Sequence, residues 1–214
     1  MRIIKHGHAC VTLATSTATL CIDPGAFTDP GAAEGADAVL ITHEHADHWT
    51  PGQLAATEAP IYTIAAVADQ IAAADPGLRA RVTIVEPGQR FTAAGVEVTA
   101  VGAKHAVIHP ELPHFDNSGY LLEAEGRSVF HPGDALTPLP TPPDLLLLPV
   151  SAPWLKVSEC IDYARTTGAA RSLAIHDAVY SEAGLGIVDG HVARFLAPLE
   201  KEYVRLPAGA DLTL

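Results

Sequence analysis

Apolar and polar positions along the 214-residue chain fall into short runs broken by Asp, Pro and Gly. Residues 9–13 and 18–22 are β-type runs separated by Thr15-Ser16-Thr17, a pattern that predicts a hairpin. Asp23-Pro24-Gly25 then marks a turn. Residues 38–42 form a short apolar run expected to be a buried strand, and a histidine-rich stretch follows at once. Pro51 is placed to open a helix, because its fixed φ suits the first helical position. Residues 65–74 predict a helix that stops at Asp75-Pro76-Gly77, and residues 81–85 and 96–101 predict strands.

The same order then recurs. Residues 119–124 and 127–130 predict a second hairpin around Glu125-Gly126, ending in His131-Pro132-Gly133-Asp134. Residues 145–150 read as a fully buried strand, 157–167 as a helix stopped by Gly168, and 171–175 as a strand running into His176-Asp177. A helix over 188–196 and a strand over 203–206 close the chain. Each half runs hairpin, turn, buried strand, polar loop, helix. Two sheets packed face to face with helices outside satisfy this order, giving an α/β fold of four layers. No linker or low-complexity segment divides residues 1–214, so one domain is expected.

Composition narrows the function classes. Hydrophobic residues make up 48% of the chain and aromatic residues 6%, so the core is expected to consist of small and branched aliphatic side chains. The formal charge is −12 and the lysines and arginines are scattered. A protein that tracks a phosphate backbone carries a basic stripe, so nucleic acid is not an expected partner. Cys10, Cys21 and Cys160 form no CxxC pair and read as reduced core residues, with Cys10 and Cys21 as neighbours in a sheet. No run reaches signal-peptide or membrane-spanning length, which points to a cytoplasmic protein without a membrane partner.

Eleven histidines matter only where they cluster, and they do in His43-Glu44-His45-Ala46-Asp47-His48. His43 and His45, two apart in extended chain just past a strand, project to the same side. Imidazole and carboxylate together suit zinc, and also manganese or iron. One ion cannot take all four groups from so short a loop. Two adjacent ions can, with His43 and His45 on one and Asp47 and His48 on the other.

His-x-His-x-Asp-His resembles the signature of the metallo-β-lactamase superfamily, and the fold that resemblance implies is the αβ/βα sandwich expected above. It also implies three later ligands. His105 in Gly102-Ala103-Lys104-His105 is the candidate third histidine for the first ion, with His109 and His114 as competitors. Asp134 is the candidate bridging aspartate, against a turn-capping role or His131 in its place. His176 is the candidate last ligand, against Asp177 and His191. Two ions so held would activate a shared water as hydroxide and polarise a scissile carbonyl or phosphoryl group, with Asp47 orienting the water. The implied activity is hydrolysis of a small ester, lactone, amide or phosphodiester. A small-molecule substrate is the expected partner, and a homo-oligomer is compatible with the sequence. The alternatives are a metal-binding sensor and a non-hydrolytic redox member of the same fold.

Lys5 to Leu13 and Asn117-Ser118-Gly119-Tyr120 resemble segments of the lactonase-like branch, which includes ascorbate-6-phosphate lactonase relatives. His8, Trp154 and residues 106–117 are candidate substrate contacts; for His8 an ordinary strand position is the favoured expectation. No Gly-x-Ser-x-Gly elbow and no phosphate-binding Walker loop competes with this chemistry.

Overall fold

The computed structural model describes residues 1–214. Two seven-stranded sheets face each other. The first holds β1 (Arg2–Gly7), β2 (Cys10–Ala14), β3 (Thr19–Ile22), β4 (Ala38–Ile41), β5 (Ile61–Thr63) and β6 (Val82–Ile84). The second holds β7 (Arg90–Ala93), β8 (Val96–Val101), β9 (Gly119–Ala124), β10 (Arg127–His131), β11 (Leu145–Pro149), β12 (Arg171–Ile175) and β13 (Glu202–Val204). β14 (Asp211–Thr213) returns to the free edge of β1. Read from one edge, each sheet has three antiparallel pairings followed by three parallel ones: β14-β1-β2-β3 then β3-β4-β5-β6, and β7-β8-β9-β10 then β10-β11-β12-β13. The recurrence in the sequence is therefore a recurrence of sheet architecture.

Three apolar cores define the four layers. Between the sheets lie Leu13, Leu20, Ile22, Leu40, Val98, Leu122, Leu145 and Leu147 among others. Outside the first sheet, Val39, Ile41 and Ile61 meet Leu54 of α1 (Pro51–Ala55), Val67 and Ile71 of α2 (Ala65–Ala74) and Leu78 of α3 (Pro76–Arg79). Outside the second, Leu146, Leu148 and Ala174 meet α4 (Val157–Thr167) and α5 (Glu182–Leu196). The unbroken run at β11 follows directly. Odd leucines face the inner core and even ones the outer core, so a strand covered on both sides has no polar position.

Several elements depart from the sequence expectation. Asp75-Pro76-Gly77 ends α2 and also starts α3, because the Asp75 carboxylate accepts the Gly77 N–H at 2.8 Å and Pro76 fills the first helical position. α5 begins at Glu182, before the expected residue 188. Gly184 and Gly186 disfavour helix, but the Ser181 cap and the buried row Leu185, Val188, Val192 and Leu196 outweigh that cost. β13 ends at Val204, short of the expected residue 206. β1 escapes the apolar pattern because Lys5 occupies an inward position, 1% exposed, with Nζ donating to both Asp177 oxygens at 2.8 and 2.9 Å. The Sγ atoms of Cys10 and Cys21 stand 3.8 Å apart as free thiols on neighbouring strands. No helix is long and apolar enough to cross a membrane.

The carboxyl ends of the parallel strands gather at one end of the sandwich, where α/β sheets place their ligands. That end is tied across the two sheets. Tyr120 Oη donates to Ile41 O at 2.9 Å, Ser118 N–H to Thr42 O at 2.9 Å, and His131 Nε2–H to Ala9 O at 3.0 Å. The Asp23-Pro24-Gly25 turn presses on the histidine loop so closely that a Cβ at Gly25 would lie 1.9 Å from Asp47 O. Gly25→Ala should therefore destabilise the protein by about 1–3 kcal/mol, read as a lowered urea midpoint. Gly186→Ala, in open space on α5, should raise stability by roughly 0.5–1 kcal/mol. An unchanged midpoint for Gly25→Ala would contradict this packing.

Candidate metal centre

His43, His45, Asp47 and His48 lie in the loop after β4, with His105 after β8, Asp134 after β10 and His176 after β12. All seven converge. One atom each from His43, His45, His105 and Asp134 falls within 4.8 Å of the others, and the same holds for His8, Asp47, His48 and His176. Asp134 joins the two groups: Oδ1 stands 3.2 Å from His48 Nε2, and Oδ2 stands 3.4 Å from His105 Nε2 and 3.1 Å from His176 Nε2. Only His45 and Asp47 of the seven reach solvent appreciably.

Hydrogen bonds behind the rings decide which nitrogen faces inward. Thr42 Oγ1 gives its proton to Asp23 Oδ2 at 2.7 Å, so toward the His43 ring it can only accept, and His43 Nδ1–H donates to it at 3.0 Å. His48 Nδ1–H donates to Asp23 Oδ2 at 2.7 Å. His105 Nδ1–H donates to Ala106 O and His176 Nδ1–H to Ser151 O, each at 2.5 Å. All four rings thereby turn Nε2 toward one space. His48 Nε2, His105 Nε2, His176 Nε2 and Asp134 Oδ1 are buried there without a hydrogen-bond partner. Buried polar atoms are rarely left so. Three imidazole nitrogens and a carboxylate oxygen, each backed by an acceptor or a fixed backbone, fit divalent cations.

The electrostatics agree. Burial pushes the pKa values of His48 and His176 down, but the Asp134 carboxylate more than reverses this, helped at His48 by Asp23 and at His176 by Asp47. His48 ends well above its ordinary value and His176 at about 9. Burial pushes the Asp47 and Asp134 carboxyls up, and the surrounding histidines hold both far below the usual range. Burial, with the neighbouring His48, keeps His43 well below its ordinary value. The site wants positive charge between its carboxylates, and protons supply it when nothing else does.

The competing candidates lie elsewhere or are already engaged. His109 is exposed and its Nδ1 accepts the Glu111 N–H. His114 Nε2–H donates to His105 O at 2.8 Å. His131 uses both ring nitrogens, donating to Ala9 O and accepting the Gly133 N–H. Asp177 holds Lys5, and His191 is exposed on α5. His8 departs from the expectation of an ordinary strand position: it is buried beside Asp47, with Nε2 3.1 Å from Asp47 Oδ2. It sits in the tight turn after Gly7 at φ +48°, and no local sequence signal marks its contact with Asp47.

Asp134 is held from two sides. Its backbone N–H donates to Asn117 Oδ1 at 3.0 Å, and Trp154 Nε1–H donates to its Oδ2 at 3.0 Å. Trp154 also packs edge-on to His105, with ring centres 5.8 Å apart. Phe115 lies 4.7 Å from the His45 ring and Phe27 5.3 Å from the His8 ring, so aromatic side chains adjoin the cluster at His45, His105 and His8. Asp23 is the site-supporting residue that sequence reasoning took only for a turn former.

The sequence matches the profile of the Beta-lactamase superfamily domain over residues 2–176. It is 36% identical over 195 residues to the protein Rv0786c of Mycobacterium tuberculosis, covering 90% of this chain and 91% of that one. It is 32% identical over 192 residues to a UPF0173 metal-dependent hydrolase of Methanoculleus marisnigri, covering 82% and 80%. The fold is similar to that of a putative metal-dependent hydrolase from Parabacteroides distasonis, with TM-score 0.77, 21% identity and coverage of 96% and 92%. It is also similar to CmlA, a diiron beta-hydroxylase from Streptomyces venezuelae, with TM-score 0.74 and 18% identity, covering 100% of this chain and 54% of that one.

Cations must displace the protons that His48 and His176 hold in the metal-free protein. Apparent Zn2+ affinity should therefore rise with pH from 6 toward about 9, where the His176 proton leaves by itself. Calorimetric titration in two buffers of different ionisation enthalpy should show proton release at pH 7. Affinity independent of pH, with no proton release, would contradict the assignment.

Proposed function

The chain belongs to the metallo-β-lactamase superfamily, and on that premise we propose that it is a metal-dependent hydrolase that holds two divalent cations and cleaves a small, uncharged ester, lactone or amide. The observation that carries the proposal is the set of buried, partnerless atoms on His48, His105, His176 and Asp134, all directed at one space. His43, His45 and His105 would hold one ion, Asp47, His48 and His176 the other, and Asp134 would lie between them. The donor set suits Zn2+ first, with Mn2+ or Fe as alternatives. Cations so placed lower the pKa of a water and polarise the bond to be cut.

The protein's own groups favour water as the nucleophile. Ser151 Oγ–H is committed to His176 O, Ser118 Oγ–H to Gly119 O and Thr42 Oγ1–H to Asp23. Cys160 lies in the outer core with its thiol pushed up to about 12 by burial. Asp47 is ionised, part-exposed and anchored at Oδ2 by His8, which suits it to accept a hydrogen bond from the attacking water and aim it. Trp154 and Asn117 keep Asp134 from turning.

The surroundings argue for an uncharged substrate. Phe27, Phe115 and Trp154 present aromatic surface around the cluster. The nearby cations are already paired: Lys104 with Asp116 at 2.6 Å, Lys5 with Asp177 at 2.8 Å and Lys156 with Glu159 at 3.5 Å. Glu44 adds negative charge within the histidine loop itself. Apart from the ions themselves, a phosphomonoester or phosphodiester would find Lys104, Lys5 and Lys156 already paired, with none of the three free to share its added negative charge.

The test is a panel of p-nitrophenyl esters, lactones, anilides, a phosphodiester and a phosphomonoester, assayed with Zn2+-, Mn2+- and Fe2+-loaded protein. The best neutral substrate should exceed either phosphate in kcat/KM by about tenfold or more. His43→Ala and Asp134→Ala should cost more than the roughly 10–100-fold typical of losing an outer-shell partner. No turnover of any neutral substrate under any metal would overturn the proposal and favour a sensing or redox role.

A further inference from the structure

We propose that His8 is a positioning residue: its Nε2–H holds Asp47 Oδ2, aiming that carboxylate at the ion it would share with His48 and His176, and His8 itself takes no place among the ligands. The inference rests on the two-cation reading above. His8 belongs by distance alone to the group of four around that ion, so the proton on its ring decides between ligand and support.

The pattern of neighbours decides it. His43, His48, His105 and His176 each have Nδ1 against an acceptor: Thr42 Oγ1, Asp23 Oδ2, Ala106 O and Ser151 O. Each therefore keeps a proton on Nδ1 and turns Nε2 inward, where a metal can take the place of any second proton. His8 is the reverse. Its Nδ1 faces a donor, the Ala178 N–H, at 3.2 Å. A ring nitrogen that accepts carries no proton, so the one proton of the neutral imidazole sits on Nε2. Nε2 stands 3.1 Å from Asp47 Oδ2, and a protonated nitrogen has no lone pair for a metal.

The backbone fixes this arrangement. Gly7 at φ +106° and His8 at φ +48° make the β1–β2 turn, where the pairing register shifts. His8 O accepts the His176 N–H at 2.9 Å, its ring lies 3.9 Å from the His176 ring, and Phe27 covers it edge-on. One residue thus ties the Asp47 side chain and the His176 backbone to the same turn.

The test compares His8→Asn with His8→Gln. Asn tolerates the left-handed backbone but is too short to reach Asp47, whereas Gln can place an amide N–H near the Nε2 position. Both are titrated with Co2+ by absorption and with Zn2+ by calorimetry, and metal-free thermal unfolding checks that they fold. His8→Asn should weaken the second binding step by about 10–100-fold and leave the first unchanged, while His8→Gln stays within a few-fold of the parent. In the parent, long-range 1H–15N correlation should show His8 protonated at Nε2. Unchanged binding by His8→Asn, equal loss in both variants, or a His8 proton on Nδ1 would each overturn the proposal. A parent protein that binds fewer than two ions would instead sink the two-cation reading on which it rests.

Discussion

The structure turns on where imidazole protons go. Four histidines are pinned from behind through Nδ1, by Thr42, Asp23, Ala106 and Ser151, and so cannot avoid presenting Nε2 to one small buried space. Two carboxylates face the same space. Lone pairs and negative charge brought together out of water are unstable unless a cation or a proton joins them. The raised pKa values of His48 and His176 and the depressed ones of Asp47 and Asp134 are two sides of that demand.

The fold is arranged to meet it. Both sheets change from antiparallel to parallel pairing part-way across, and the parallel strands deliver Asp23, His43, Asp134, Ser151 and His176 to the same end. Hydrogen bonds from Tyr120, Ser118 and His131 then lock the two ends together. A rigid site made of loops needs such ties, because each loop alone carries only one to four of the groups. Gly25 and Gly133 allow the closest approaches: a Cβ at Gly133 would fall 2.2 Å from Asn117 Oδ1, the atom that holds the Asp134 N–H.

Much of this was legible in the sequence where the signal is local. The spacing of His43, His45, Asp47 and His48 compresses half the cluster into six residues, and the hairpins and leucine-rich β11 announce themselves by period and run length. His105, Asp134 and His176 could be named only through the family resemblance; nearness to the preceding strand favours His105 over His109 and bridging chemistry favours Asp134 over His131, but neither signal decides alone. What separates them is contact and exposure that only the folded chain reveals: His131 uses both ring nitrogens, His114 gives its Nε2–H to His105 O, and His109 is exposed. β1 was hidden by Lys5, whose buried charge is tolerable only beside Asp177, far away in sequence. The start of α5 was hidden by glycines whose cost is offset in packing. His8 could not be placed because its role depends on a donor at Ala178.

The aromatic side chains around the cluster extend the same logic outward. Trp154 holds the Asp134 carboxylate with its N–H and packs its ring edge-on to His105, so one residue restrains both Asp134 and His105. The central claim, two cations in one buried array, is tested most directly by anomalous scattering from crystals of the Zn2+-loaded protein. The account predicts two peaks about 3.5–4 Å apart, one against His43, His45 and His105, the other against Asp47, His48 and His176, with Asp134 between them and His8 on neither. A single peak, or a peak bonded to His8 Nε2, would contradict it.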